Sequence, residues 1–519
     1  MNRIILLVCV LPLLCFAQQG LVPTSSYYRD RLFDTYHNIR CNDSIPEFSC
    51  YMGSGFLPEL EKSYNLLEKI RDRSLQYSEF TDHLVKKHLV EVQSKDAQID
   101  ISPVGEFSYG KELGDTSESY LYKNTRGILI QANLFENFSF QTTFYENQAR
   151  FSSYEREFIN AHGEYYTQEI GYNQQNGVVP GAARTKPFKT NGYDFAYAVG
   201  HFIYSPTKNF SILAGNNQHF IGAGYRSLIY GNHHVGTPYL RTNFHFFKKW
   251  QWNFLRTRAM NLVRKKTYTT VEGYYQPKSI GINHLSWHPI PKLTVHFSEI
   301  TVWKMGDSLA TNSPHHLVFS PIPFSSKLVS IETAHSNYGL SFDWLINKGF
   351  RGYGQLITPF NGTFAGQLGI RMNPMLPIRS LIQFEYNYVS TGMFQATNNM
   401  THYSNYNLPI AHIMGNGFQE ILCRINGEHH RIYAAINTHI FLLKNYNRYS
   451  LQAIPNVTSQ VNGFLLNNKI EIGYRFNQKL NINIYGQFVL RKEWWEQGKN
   501  HLVFQAGIRT GLIETVNDF

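Results

Sequence analysis

Lys469-Ile470-Glu471-Ile472-Gly473-Tyr474-Arg475-Phe476 decides the fold class of this chain. Ile470, Ile472, Tyr474 and Phe476 alternate with Lys469, Glu471, Gly473 and Arg475. In a strand, successive side chains point to opposite faces, so one face is apolar and the other polar. The following segment repeats the split, with Leu480, Ile482, Ile484 and Phe488 against Asn481, Asn483 and Gln487.

The pattern recurs through most of the chain. Phe364, Leu368, Ile370 and Met372 oppose Gln367 and Arg371; Ile382, Phe384, Tyr386 and Tyr388 oppose Arg379, Gln383, Glu385 and Asn387; Leu502, Phe504, Ala506 and Ile508 oppose Gln505, Gly507 and Arg509. Alternation alone also fits a sandwich with one wet face. Length discriminates, because many segments run about nine to eleven residues, what a tilted strand needs to cross a bilayer, against about five or six in an average soluble strand.

The connections have a short and long rhythm. Short turns fall at Ser205–Asn209, Phe247–Trp250, Pro289–Lys292, Ile346–Gly349, Asn373–Pro377, Lys444–Arg448 and Asn477–Lys479. Between them lie longer connections near 146–192, 217–238, 259–278, 303–337, 391–430, 455–467 and 491–500. The short link at Pro359–Gly362 falls among the long ones. Outer-membrane barrels place short turns inside and long loops outside, with an even strand number. The expected fold is therefore all-β: a transmembrane antiparallel β-barrel of about eighteen strands, a count taken from this rhythm.

Composition agrees. The chain has 519 residues, 15% of them aromatic and only 16% charged. Such aromatic richness suits strands and interfacial girdles. No stretch of about eighteen consecutive apolar residues is present after the N-terminus, so spanning helices are not expected. No fixed-period repeat points to a propeller or solenoid.

The N-terminus carries a short basic start, Met1 to Arg3, an apolar run from Ile4 to Phe16, and Cys15-Phe16-Ala17 before Gln18. This is the pattern of a cleaved signal peptide over residues 1–17, too short to span a bilayer and with Leu14 where a lipoprotein signal wants a small residue. Residues 18–98 are expected to form a periplasmic loop and helical segment. Leu57, Leu60, Tyr64, Leu67 and Ile70 recur at helical spacing, continued more loosely by Phe80, Leu84, Leu89 and Val92. The barrel is expected over 99–519, in the cell outer membrane. Cys41 and Cys50 could close a small disulfide loop in that oxidising setting, leaving Cys423 as a bystander.

The polar face would carry Arg371, Arg379, Glu385, Glu471, Arg475 and Arg509 with both signs interleaved. A rigidifying lattice of ion pairs is the plainer expectation; a conduit or site for charged sugars is the functional one. A net charge of +11 and 21 histidines favour acidic partners, of which surface polysaccharide and lipid phosphate fit the compartment, whereas nucleic acid does not. Aromatic and amide residues crowd the long segments, as in Tyr165, Tyr166, Tyr172, Asn173, Gln174 and Gln175, and in Asn398, Asn399, Tyr403, Asn405 and Tyr406. Rings could stack on sugar faces there, or the segments could be ordinary solvated loops.

Hydrolysis needs a positioned carboxylate pair or a nucleophile with a base. Glu299, Asp307, Glu332, Asp343 and the neighbours His335 and Ser336 show no such spacing. No metal cluster, cofactor motif or catalytic residue is expected.

Four motifs, taken in order, carry a resemblance. Asn124-Thr125-Arg126-Gly127, Tyr145-Glu146-Asn147-Gln148-Ala149, Val179-Pro180-Gly181 and above all Phe220-Ile221-Gly222-Ala223-Gly224-Tyr225-Arg226-Ser227-Leu228 resemble the gliding-motility RemB proteins of Bacteroidota. That group is similar to the capsule-assembly Wzi barrels. The likeness runs from about Leu84 to about Leu240, then continues in strand rhythm only. It implies an outer-membrane barrel with a small periplasmic helical part and a non-enzymatic role: holding capsular or exopolysaccharide on the Wzi side, surface motility, with its motility or surface-assembly proteins, on the RemB side. Ile229-Tyr230-Gly231 stands where Leu-Ser-Asp would be expected, removing a carboxylate and any role it carried.

Read from the residues themselves, Gly222 and Gly224 would let backbone pass close to another element, and Arg226 offers a fixed fork for carboxylate or phosphate. Glu146 inside the barrel is the expected partner of Arg226. The candidate binding residues are Arg126, Glu146, Asn147, Gln148, Tyr225 and Arg226. The leading expectation is a polysaccharide-binding or surface-assembly barrel; a porin-like channel for small or anionic solutes is the alternative, and an outer-membrane hydrolase the third.

Overall fold

The computed structural model describes residues 89–113, 120–135, 137–166, 176–182, 184–207, 209–247, 249–264, 275–305, 314–347, 349–373, 379–453, 460–477, 482–511 and 516–519. Eighteen strands close into one antiparallel barrel. They are β1 Ala97–Leu113, β2 Leu121–Leu134, β3 Phe138–Arg150, β4 Gly192–Thr207, β5 Phe210–Asn217, β6 Thr237–Phe246, β7 Trp250–Arg264, β8 Tyr275–Ile290 and β9 Leu293–Lys304. They continue as β10 Ala334–Asn347, β11 Phe350–Thr358, β12 Ala365–Met372, β13 Arg379–Val389, β14 Phe418–His429, β15 Ile432–Tyr446, β16 Val461–Asn477, β17 Ile482–Trp494 and β18 Asn500–Arg509. Each pairs with the next, and Glu106–Leu113 of β1 pairs with Arg509–Leu502 of β18 to close the ring. Closure removes the sheet edges, which lipid could not satisfy.

The alternation reads as expected. Ile470, Ile472, Tyr474 and Phe476 are exposed on the outer wall, as are Phe364, Leu368, Ile370, Phe384, Ile484, Phe504 and Ile508. Arg371, Glu385, Glu471 and Arg475 are buried on the inner wall. The pairing is largely the lattice anticipated: Arg509 donates to Glu471, Arg475 lies 2.9 Å from Glu428, and Arg351 pairs with Asp343. The side chain of Arg379 lies outside the described residues.

Three expectations are corrected. Leu89 and Val92 do not continue a helix: Val90–Gln93 is a short strand paired with Gln98–Ile101, its turn held by Ser94 and Ala97. Val90 and Val92 fit an extended conformation because β-branched side chains are stiff at χ1. The rest of the expected periplasmic segment, with the signal peptide and Cys41 and Cys50, lies outside the described residues.

The span 391–430 is not one long loop, because β14 occupies its last third. His430 and Arg431 turn it tightly into β15, with His430 at φ 52°. A left-handed His lacks the Asn-Gly or Pro signal usually read as a hairpin. Lys444–Arg448 is conversely not a short turn. β15 runs to Tyr446 with a register shift between Leu443 and Tyr446, and Asn445 at φ 49° marks the irregularity. These two errors offset each other, which is why the expected strand number survives. Many strands are longer than expected; β1 and β16 have 17 residues each.

Short turns collect at the end of the barrel where β1 begins and β18 ends; the longer connections collect at the other. A ring of this strand number is too wide for its wall side chains to fill. The interior is filled instead by described parts of several long connections folding inward. They carry helix α1, Ser153–Ala161, with a Ser152–Glu155 capping box, and the spans 218–236 and 390–417. Ile221, Leu228, Ile229, Tyr230, Tyr403, Leu408 and Ile410 make one apolar cluster with Leu255, Ile280, Ile282 and Ile300 of the inner wall.

Candidate functional site

The segment Phe220–Tyr230 forms a knuckle inside the barrel. Its two legs meet where the Ile221 N–H donates to the Tyr230 carbonyl at 2.9 Å. Ser227 pins the turn, donating to the Ile221 carbonyl and accepting from the Ile229 and Tyr230 N–H groups at 3.1 and 3.0 Å. A small hydroxyl that bonds its own backbone is what such turns require. Tyr225 and Arg226 stand at the tip.

The inner wall receives the tip through backbone groups. Glu385 of β13 accepts from the Tyr225 N–H at 2.8 Å and the Arg226 N–H at 3.1 Å, one oxygen each. The same carboxylate takes the Tyr353 hydroxyl at 2.9 Å and an Asn387 amide hydrogen at 2.8 Å. Gln355 accepts from the Leu228 N–H at 2.8 Å, and Gln367 donates to the Arg226 carbonyl at 3.0 Å. A β-carbon on Gly224 would lie 2.3 Å from a Glu385 oxygen and one on Gly222 3.0 Å from Gln355. The two glycines therefore serve close approach, as their spacing suggested.

The Arg226 guanidinium is buried and fully engaged. Its Nη1 donates to Asp518 Oδ1 at 3.0 Å, its Nη2 to the Asp518 carbonyl at 2.7 Å, and its Nε to Glu420 Oε1 at 3.3 Å. Glu420 is also 2.8 Å from His412 Nε2, 2.8 Å from His439 Nδ1 and 2.9 Å from Asn387 Nδ2. The Tyr225 ring lies under Arg424, 4.3 Å from its guanidinium carbon, and its hydroxyl donates to Asp518. Charges this deep persist only when paired and hydrogen-bonded, and here each carboxylate has several donors. Burial alone would raise the Asp518 carboxyl, but Arg226 and His439 beside it hold it well below the usual carboxylate range.

Asp518 brings the chain's last residues into the barrel. Phe519 stacks on Phe158 of α1 at 3.8 Å between ring centroids and meets Tyr154 edge-on at 6.1 Å. The Val516 N–H donates to the Pro180 carbonyl at 3.1 Å. The other loops lock to the knuckle in turn. Tyr403 donates to the Ile229 carbonyl, the Gly231 N–H to the Ile410 carbonyl at 2.8 Å, and Asn405 to the Val235 carbonyl at 3.0 Å. Lys278 of β8 donates to the His402 carbonyl at 2.7 Å.

The expected binding residues do not form one site. Tyr225 and Arg226 belong to this plug. Asn147 faces the interior but is satisfied there, accepting from Thr125 at 2.7 Å and donating to the Phe195 carbonyl at 3.1 Å. Arg126 and Glu146 are opposite one another in register and point outward, on the same side as Phe140 and Phe144; Gln148 shares that face. The expected Arg226–Glu146 pair is thus corrected, because alternation along β3 puts even-numbered residues outside. Tyr403 and Asn405, read as a sugar-stacking or solvated loop, are buried and serve as plug ties. Tyr172 to Gln175 lie outside the described residues.

Glu420, Arg424, His412, His439 and Asp518 were not expected at the site. Glu420, Leu422 and Arg424 show the same-face spacing of a strand, a signal hidden by reading that span as loop. For Asp518 no local signal existed. Of the carboxylates weighed for hydrolysis, Asp343 pairs with Arg351 on the inner wall and Glu299 faces outward, so they cannot face one another across a substrate.

No protein-family model matches the chain, and no curated protein sequence matches it. Among solved structures the chain is similar in fold to Wzi of Escherichia coli, described as an outer membrane protein involved in group 1 capsule assembly and a carbohydrate-binding β-barrel. That match has 13% identity and a TM-score of 0.55 and covers 96% of this chain and 100% of that one. OccAB2 of Acinetobacter baumannii (8% identity, TM-score 0.43) and OpdQ of Pseudomonas aeruginosa (9%, 0.44) each match over 80% of this chain and over 97% and 98% of their own. At these identities the likeness is one of fold: a closed outer-membrane-type barrel of eighteen strands.

Proposed function

We propose that this chain is a non-enzymatic barrel of the outer membrane that binds acidic surface polysaccharide, in capsule assembly or, on the RemB resemblance, in gliding motility. The observation that carries this reading is the plug. The knuckle and the neighbouring loop are tied to the wall by Glu385 and Glu420, and the terminal residues to the knuckle by Asp518, which supports a role in holding something at the surface over one in passing solutes through. The fold shared with a carbohydrate-binding barrel adds to it. Every polar side chain at the knuckle tip is committed to the plug, so the glycan contacts are assigned to the loop end of the outer surface, where Arg126, Glu146 and Gln148 face outward.

Two measurements test this on the full chain. In planar bilayers the protein should give no large steady conductance; a stable open pore would favour the channel alternative. Purified barrel should retain the organism's acidic surface polysaccharide on an affinity column, with retention reduced by Arg126→Ala while the folded, heat-modifiable gel band is unchanged. Failure of the wild-type chain to retain any of it would remove the binding reading.

A further inference from the structure

The connection from β9 to β10 is described from residue 314 onward. Its described part, residues 314–333, folds back down the outer wall. Alternation puts Arg256 of β7, Asn283 of β8, Glu299 of β9 and Tyr338 of β10 on the outside, in step with exposed Leu240, Phe297 and Leu340. Yet Arg256 and Glu299 are buried, because this strap covers them.

The latch is specific. Arg256 donates to the Val318 carbonyl, to the Ser320 carbonyl at 2.8 Å and to Asn283 Oδ1 at 3.0 Å. Glu299 accepts from Asn283 at 3.2 Å and from the Phe324 N–H at 2.9 Å. Ser336 donates to Ser326 at 2.8 Å. Tyr338 is sandwiched between Phe324 at 5.3 Å and Phe360 at 5.2 Å, and Val318 packs on Trp303 and Ala334.

The strap's exposed surface is mainly apolar, with Lys327 and Glu332 as its exposed charges. Leu328 is 77% exposed and Ile322 and Ile331 are each 68% exposed, beside exposed Phe319 and Phe324. A patch of this kind on a watery loop would be a liability.

The wall beneath explains it. At about 2.5 Å of depth per tilted residue, Trp250 to Phe254 on β7 and Leu293 to Phe297 on β9 each supply only about 10 Å of apolar wall before the polar row begins. A barrel needs an apolar band of about 25 Å. The strap lies over Glu299 and Tyr338, the next outward positions after exposed Phe297 and Leu340 on the same strands.

We propose that residues 314–333 are a lipid-facing flap: Phe319, Ile322, Phe324, Leu328 and Ile331 contact acyl chains of the outer leaflet and seal the Arg256–Asn283–Glu299 row from them. The occupant is lipid because the strap continues a surface that already faces lipid, on strands whose own apolar wall is too short.

The test places a benzophenone side chain singly at Ile322, Leu328 or Ile331 in the full chain, in native outer-membrane vesicles, with Phe297 as belt control and exposed Gln497 as loop control. After irradiation, mass spectrometry of the adduct should find lipid at the three strap positions and at Phe297, and none at Gln497. Protein adducts at the strap, from a second copy or another membrane protein, would overturn the proposal. So would strap positions that give no lipid adduct while Phe297 does.

Discussion

Arg226 and Asp518 are 292 residues apart in sequence and share two hydrogen bonds, one to the carboxylate at 3.0 Å and one to the carbonyl at 2.7 Å. The contact joins the tip of an inward-folded loop to the chain's last described residues, and Glu420 fixes Arg226 to the wall. Both partners are buried.

Arg226→Ala therefore leaves Asp518 and Glu420 buried with their main countercharge gone. Removing one partner of a buried pair costs about 3–5 kcal/mol. The expected outcome is a barrel that still forms but conducts in planar bilayers, with a lower unfolding midpoint in the heat-modifiability gel. Adding Glu420→Gln and Asp518→Asn should recover part of that loss, since the orphaned charges go too; an additive loss would show that the three groups are not coupled.

Gly224→Ala forces a methyl group against Glu385 and Tyr353, with the nearest atom 2.3 Å away. Overpacking of this kind costs about 1–3 kcal/mol. Gly366→Ala on β12 is the matched control, because a β-carbon there meets nothing within 4 Å. It should change the stability by less than about 0.5 kcal/mol. Equal effects of the two substitutions would refute the close approach.

Ile472→Arg tests which face meets lipid. Ile472 is 58% exposed on the outer wall of β16, next to inward Glu471. An Arg near the bilayer midplane costs about 2–4 kcal/mol in a barrel, falling toward zero at the interfaces. The loss should appear as reduced stability in urea unfolding from lipid vesicles. An unaffected barrel would mean that this strip does not lie in hydrocarbon.

The wall was legible in the sequence and the plug was not. Period two is a local property, so Ile470 to Phe476 announces its outer face without help from any other segment. The outward placement of Glu146 was also legible, since it shares parity with Phe140 and Phe144; the motif drew attention to its charge instead. The His430 turn failed for want of a turn residue. The grip of Glu385 on the Tyr225 and Arg226 N–H groups spans some 160 residues and uses backbone donors, which no side-chain pattern encodes. The strap was hidden for a related reason: Arg256, Asn283 and Glu299 look like interruptions of three strands until the segment that covers them is in place.

The pH response of the plug follows from Asp518. Its carboxyl titrates lower in the folded protein than its ordinary value of 3.8, because Arg226 and His439 outweigh the effect of burial. A depressed carboxyl contributes stability that is fully present above the unfolded value and is lost as pH falls through the lower, folded one. The contribution of Asp518 to seating the terminal residues should accordingly be constant from neutral pH down to roughly pH 4 and weaken only in stronger acid. Conductance recorded in planar bilayers at stepped pH reads this as the acid step that wild type shows below about pH 4. Asp518→Asn should conduct more at neutral pH and lose part of the acid step, the remainder belonging to the other carboxylates around Arg226. A wild-type transition near pH 6 would instead assign control to a histidine, and Asp518 would not be the group that sets it.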